Sequence, residues 1–572
     1  MTPAAAWASR QLDAWLGAIE PRPEREGALD VWADRLSLVV FALLSVVVLA
    51  TLGDYGLTYD EEPHIRYGER VLEFYTGGFH ASGLVRGSSY GAAFDLLAAI
   101  VRRVSPWDAF RTNHVLCALT AELGLLGTWR LGRVVAGPLG GLLGLLFLVL
   151  TPVYYGHQFN NPKDIPFAAG YVWGLYFIAR LTLAASTRGR DAVASLGGRR
   201  FWLWLALSLA LGMCVRVGGA ILVGYLVLFV ALVTLERWWL ESRAAAVALA
   251  PVWAGTLISI VGGWLLMLAS WPRVLLDPVQ GPQSALETVS KYKAYDCPTL
   301  LGGRSIPSQK VPWDYLPTYF AVQLPELTTL CFIAAVVLAA ALSVWALARR
   351  RRQPWAWLLV GVAVLLPPAY AIVRGSTLYN GLRHFLFIIP PLAVLVGALL
   401  ALVLRAAARR GRAALGVVLA VLGLFCADQT WALYRTHPHQ HAFFNRASGG
   451  LAHAVDRYET EYYGSVYQDL HDKLVREVWK TRRDEYLNRT FVVAGCGSNL
   501  FFTRNLPLNF QYTAMRNAND ADYYATYARD GCLRRFRDRK LVASVVRDGG
   551  TLGVARDMKR RAPRAEASAK DR

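Results

Sequence analysis

Long apolar stretches alternate with short polar ones along most of this chain. Apolar runs fall near 35–53, 112–131, 138–156, 165–184, 201–215, 218–236, 245–269, 324–348, 355–373, 384–404 and 413–432. Most approach the roughly 20 residues that an α-helix needs to cross a bilayer, so the pattern predicts about eleven spanning helices. A shorter run, 89–104, carries Asp95, Arg102 and Arg103 and is predicted to lie as an interfacial helix. Beyond about residue 433 the chain turns polar, with a helical stretch near 465–485 and strand-like runs at Thr490–Ala494 and Ala521–Tyr524. Two more, Leu541–Val546 and Thr551–Ala555, flank Arg547-Asp548-Gly549-Gly550, a hairpin signal. The predicted fold is mainly α: a polytopic transmembrane helix bundle with a small C-terminal α/β domain. The expected organisation is a cytoplasmic segment over 1–34 and a transmembrane module over 35–432, with outer-face loops 54–111, 157–164 and 270–323. An extracytoplasmic domain over 433–557 and a disordered basic tail over 558–572 follow.

Composition supports this reading, since 55% of the 572 residues are hydrophobic. The formal net charge is +20, and its distribution explains it without a nucleic-acid partner. Arg130 and Arg133, Arg188 to Arg200, Arg237 and Arg243, Arg349 to Arg352, and Arg405 to Arg412 all fall on alternate loops, as the positive-inside rule requires of cytoplasmic ones. No RNA-binding module or zinc-finger spacing appears. Residues Met1 to Val31 lack the early apolar core of a cleaved signal peptide, so the first span is expected to act as its own targeting signal. With the N-terminus inside, Asp60, the Asn160–Asp164 loop, Arg216, the 272–320 loop, the Arg374–Arg383 loop and everything after about 433 share the outer face. In a bacterial inner membrane that face is periplasmic. Of seven cysteines, Cys117, Cys214, Cys331 and Cys426 lie in apolar runs and Cys297, Cys496 and Cys532 in polar ones. Cys496 and Cys532 pair if the compartment is oxidising and remain thiols otherwise.

The candidate chemistry sits on the outer face. Asp60-Glu61-Glu62 follows the first span. Carboxylates at a membrane exit are costly to desolvate, so these three are expected to face a water-filled cavity, with a raised pKa suited to a general base. The plainer alternative is a solvated run at the start of a helix. Asn160-Asn161-Pro162-Lys163-Asp164-Ile165-Pro166 brings a second acid to a helix start, where capping alone would also explain it. His157 lies one turn earlier. Arg216, between two apolar runs, either binds an anion or snorkels to the interface. Arg383 and His384 open another span, and a guanidinium fork suits phosphate. Lys163, Arg216, Arg383 and His384 are the expected phosphate contacts. Glu62, His157 and Asn161 are expected to contact substrate. Together these groups look like a site that binds an anionic headgroup and deprotonates a hydroxyl.

The same motifs carry a resemblance. An Asp60-Glu61 loop after the first span is followed by Pro162-Lys163-Asp164-Ile165-Pro166, and then by Arg383-His384-Phe385-Leu386-Phe387-Ile388-Ile389-Pro390-Pro391. The order resembles the integral-membrane GT-C glycosyltransferases, nearest the protein O-mannosyltransferase-like family that includes the lipid A aminoarabinose transferase. His437-Pro438-His439-Gln440-His441-Ala442-Phe443-Phe444-Asn445, with Tyr458-Glu459 and Tyr462-Tyr463-Gly464, is similar to a motif in bacterial members with no assigned acceptor. The likeness spans about residues 35–470. It implies a polyprenyl-phosphate sugar donor and inverting transfer to an acceptor on the outer face, with Asp60 as base, Glu61 completing the pair, Asp164 as second acid, and Arg216 and Arg383 on the donor phosphate. No inserted lumenal sugar-binding domain of the eukaryotic type is visible, which argues against a protein acceptor. A divalent metal bridging Asp60 or Asp164 to phosphate is compatible with the chemistry, though the spacing does not require it. The rival expectations are a transporter or flippase of lipid-linked sugars, against which no internal repeat is seen, and a scaffold displaying the tail.

Overall fold

The computed structural model describes residues 28–80, 83, 85, 88–290, 297–497, 499–529 and 531–561. Of the expected terminal segments, 1–27 and 562–572 lie outside the described residues.

Among the described residues, nine helices are long and apolar enough to cross a membrane, against the eleven expected. Two local features account for the difference. The expected spans 112–131 and 138–156 are limbs of one 41-residue helix, Ala109–Val149, which breaks at Ala136 and Gly137. Gly137 takes a φ of +75° there, open to glycine, and Pro138 starts the second limb without needing a hydrogen-bond donor. The expected span 201–215 is the 15-residue helix Arg199–Met213, shorter than the other spans, yet it runs back along Asp164–Arg188 and ends beside Asp164, where Arg216 pairs with it. The segment expected at the interface forms the ten-residue helix Ala93–Arg102, too short to cross.

Burial divides the bundle into a centre and a rim. The helices Asp164–Arg188 and Ile389–Arg410 are predominantly apolar and mostly buried. Ala28–Thr51 and Arg412–Thr436 keep most of their apolar side chains on the outside, where lipid would solvate them. The centre is tight enough for backbones to touch: a Cβ on Gly397 would lie 2.3 Å from the backbone nitrogen of Gly144. At one end, basic residues pair with the few acids near them: Arg405 with Asp30 at 2.9 Å, Arg352 and Arg237 with Glu241 at 2.6 Å each, and Arg133 with Asp34. The loops expected to share the other face do meet at the other end.

A two-stranded hairpin, β1 (Pro298–Leu301) and β2 (Arg304–Pro307), lies in the long loop after the Ala250–Ser270 helix. The tail forms a five-stranded sheet from β3 (Phe491–Gly495), β4 (Phe510–Ala514), β5 (Tyr523–Tyr527), β6 (Arg539–Arg547) and β7 (Gly550–Arg561), in the order β4-β3-β5-β7-β6. β3 runs parallel to β4 and β5, whereas β7 pairs antiparallel with β5 and β6. The helix Val466–Thr481 buries Val466, Leu470, Leu474 and Val478, an every-fourth-residue stripe, against this sheet. Four of the five strands coincide with the expected runs. β4 was not expected, and β7 continues past Met558 to Arg561, into the stretch expected to be a disordered tail. Cys496 and Cys532 form a disulfide with Cα atoms 6.4 Å apart.

Candidate functional site

Asp60 is the last loop residue before the helix Glu61–Thr76. Successive side chains at a helix start diverge by about 100°, and the three carboxylates accordingly go three ways. The Asp60 carboxylate reaches Lys163 Nζ at 2.8 Å and Arg383 Nη2 at 2.7 Å, and accepts from the Tyr463 hydroxyl at 3.4 Å. Glu61 turns inward, fully buried, where it accepts from the Thr58 backbone N–H at 2.8 Å and faces His114 Nε2 at 2.8 Å. Glu62 pairs with exposed Arg66 on the helix surface. The expectation that all three face one cavity is therefore corrected: of the three, only Asp60 lines it.

The second acidic loop is fixed by its asparagine. Asn161 Oδ1 accepts from the Asp164 backbone N–H at 3.0 Å, and Asn161 Nδ2 donates to Asp164 Oδ2 at 2.9 Å. His157 holds Asn161 at 3.2 Å through Nδ1 and Tyr462 Oη at 2.9 Å through Nε2. Burial, with the nearby His441, keeps His157 neutral well below its ordinary pKa. Asp164 pairs with Arg216 and, at 3.4 Å, with Arg383 Nε.

Arg383 joins the two acids. Asn380 and Gly381 both take a φ of +59°, a left-handed turn that asparagine and glycine adopt most readily. Tyr315 Oη and Gln323 Oε1 accept from the backbone N–H groups of Gly381 and Leu382 at 3.2 and 3.1 Å. The turn delivers Arg383 as a buried fork, Nη2 to Asp60 and Nε to Asp164, with the Tyr463 ring 5.0 Å from its guanidinium. Tyr90 lies within 5.2 Å of Lys163 and 5.9 Å of Arg216.

Asp60, Lys163 and Arg383 open onto a cavity of about 830 Å³ whose walls include Tyr59, His64, Tyr67, Tyr90, Tyr379, Asn380 and Tyr462. The tail supplies its roof: Cys496, Gly497, Tyr527, Arg529 and Cys532. Asp164, Arg216, His157 and Asn161 stand behind the lining and hold it. His384 packs edge-on against Tyr379 at 4.5 Å and is not among the lining residues. Of the expected second acid Asp164, the expected phosphate contacts Arg216 and His384, and the expected substrate contacts His157 and Asn161, none is among the lining residues.

The expected raised pKa at Asp60 is also corrected. Burial acts in that direction, but Arg383 and Lys163 outweigh it and hold the carboxylate far below the ordinary range. The Tyr463 hydroxyl is pushed up by burial and stays protonated as a donor to it. Tyr462 and Tyr463 also belong to this site, although nothing in their periodicity ties a loop after the last span to a cavity beside the first ones. Among the described residues, no group of three or more His, Cys, Asp and Glu side chains is arranged to hold a metal ion. Asp60 Oδ2 is already held by Lys163 and Arg383, and the two Asp164 oxygens by Arg216 and Arg383.

No protein-family model and no curated protein sequence matches this chain. Among solved structures, it is similar to ArnT from Cupriavidus metallidurans bound to undecaprenyl phosphate. That match has 13% identity, covers 91% of this chain and 97% of the other, and has a TM-score of 0.47. It is also similar to the oligosaccharyltransferase AglB from Archaeoglobus fulgidus in complex with an inhibitory peptide and a dolichol-phosphate, at 12% identity over 88% of this chain and 70% of the other, with a TM-score of 0.48. At such values neither likeness decides the chemistry.

Proposed function

We propose that this protein is a membrane glycosyltransferase of GT-C type. It transfers a hexosyl or pentosyl unit, with inversion, from a polyprenyl-phosphate donor to an acceptor hydroxyl on the outer face of the inner membrane. The observation that carries the reading is the Lys163–Asp60–Arg383 cluster: one ionised carboxylate held between two buried cations at the mouth of a large cavity. Undecaprenyl phosphate and dolichol-phosphate, bound in the two structures named above, belong to the ligand class proposed here, but the reading rests on the geometry.

The step needs one base and one anion site. The acceptor oxygen attacks the anomeric carbon as its proton passes to the Asp60 carboxylate. The bond from that carbon to the phosphate oxygen breaks, and its electron pair leaves with the phosphate. The donor is a phosphodiester with one negative charge, whereas the departing polyprenyl phosphate gains a second. Lys163 and Arg383 stabilise that developing charge. As they turn to the phosphate they release Asp60, so donor binding itself makes the carboxylate a stronger base. Asp164 and Arg216 keep Arg383 in place from behind. An outer location is supported by the Cys496–Cys532 disulfide, which persists in oxidising compartments, and by the basic residues at the far end.

The test is transfer from a panel of radiolabelled polyprenyl-phosphate sugars to membrane acceptors, with wild type beside Asp60→Asn. Wild type is expected to transfer from at least one donor. The variant is expected to lose about 10²–10⁴-fold in turnover, the usual size of a general-base contribution, while still binding polyprenyl phosphate. Wild-type protein that transfers from no donor would overturn the proposal.

A further inference from the structure

A second cavity, of about 410 Å³, lies against the first, and Tyr462 and Arg529 line both. Its other walls come from the β1–β2 hairpin (Thr299, Leu300, Ser305), from Asp456, Glu459 and Glu461, and from Arg534. Its chemistry excludes most occupants. Three carboxylates repel a phosphate. A lipid chain requires continuous apolar walls, and these are interrupted by Asp456, Glu459, Glu461, Arg529 and Arg534. Asp456 is paired with Arg534 at 3.2 Å, Glu461 with His441 at 3.0 Å, and Glu459 accepts hydrogen bonds from Thr299 and Asn380. What remains is a neutral ligand rich in hydroxyl groups, for which carboxylates and backbone carbonyls are acceptors and arginines donors.

Glu459 ties the second cavity to the first. Its carboxylate accepts from Thr299 Oγ1 at 2.7 Å and from the backbone N–H of Asn380, and Asn380 lines the first cavity three residues from Arg383. From these contacts we infer that the second cavity is a saccharide subsite, placing a sugar ring beside the Asp60 carboxylate. The inference rests on the glycosyltransferase reading for its purpose, but not for its test. The sugar belongs either to the acceptor or to the donor, and the two sources share the same recognition chemistry.

Two measurements test it. In the first, exposed Ser305 is replaced (Ser305→Cys) and its labelling by a maleimide is timed in intact protein, with and without glucose, mannose, galactose or arabinose at tens of millimolar. The other native thiols are accounted for by labelling wild type in parallel. Slowed labelling by at least one sugar, and not by inorganic phosphate, is expected. No slowing by any of them would overturn the subsite, whether or not the protein proves to be a transferase. In the second, Leu300→Trp fills the cavity. A rise of about tenfold or more in the apparent KM for one sugar-bearing substrate, with binding of bare polyprenyl phosphate unchanged, is expected. If the acceptor KM moves, the subsite holds the acceptor; if the donor KM moves, it holds the donor sugar. An unchanged KM for both, or equal loss of bare polyprenyl phosphate binding, would overturn it.

Discussion

At the scale of residues, the site depends on one arginine doing two jobs. Arg383 reaches Asp60 through Nη2 and Asp164 through Nε, 2.7 and 3.4 Å away. A lysine carries the same charge on a single point and cannot span both carboxylates. Arg383→Lys is therefore expected to keep the fold and lower transfer by about 10²-fold. Matched circular dichroism with unchanged turnover would contradict it. Asp60 makes a second prediction, from pH. A lowered pKa means the carboxylate stays ionised as pH falls through the ordinary aspartate value of about 3.9. The acid limb of kcat/KM, which reports the free enzyme, is expected below that value. In the donor complex the cations have turned to phosphate, so the acid limb of kcat is expected at higher pH than that of kcat/KM. Coincident limbs would mean that donor binding leaves Asp60 clamped.

At the scale of elements, much was legible in the chain. Alternation of apolar runs and the parity of arginine-bearing loops put Asp60, Lys163, Asp164, Arg216 and Arg383 on one face, where they are found in mutual contact. Which side chain of Asp60-Glu61-Glu62 would face the cavity was not legible, because that depends on where the helix begins within one residue. The sign of the Asp60 shift was missed for a related reason. Sequence neighbours are acids, but its neighbours in space are Lys163 and Arg383, brought from 103 and 323 residues away. β4 was missed because Phe510–Ala514 has a mixed, partly exposed pattern. Helix packing supplies its own prediction. The central helices touch through Gly397 and Gly144, an approach that only small residues permit. Gly397→Leu is expected to destabilise the bundle by about 1–3 kcal/mol, seen as a lower thermal midpoint in detergent, with the outer cluster affected only through loss of folded protein.

At the scale of the whole molecule, the large cavity lies between loops at the ends of the membrane helices and a roof from the tail. The Cys496–Cys532 disulfide joins two loops of that roof across 36 residues. Replacing both cysteines with serine is expected to destabilise the tail by about 2–4 kcal/mol and to raise the KM for donor more than it lowers kcat, since Tyr527 and Arg529 border the cavity whereas Lys163 and Arg383 hold Asp60. A double variant with wild-type KM and thermal midpoint would show that the roof holds without the bridge.

The sheet order sets a timetable for this arrangement. β7 lies between β5 and β6, although it is the last of the strands to be synthesised. Until Gly550–Arg561 has emerged, β5, which carries Tyr527 into the cavity wall, has an unpaired edge, and β6 has no partner. The membrane helices with their charged cluster are threaded first, and the cavity closes over them only after β7 is made. During synthesis the ion-pair cluster thus stands open to water. A chain cut short after Arg547 would insert in the membrane with its charges in place and no chamber around them.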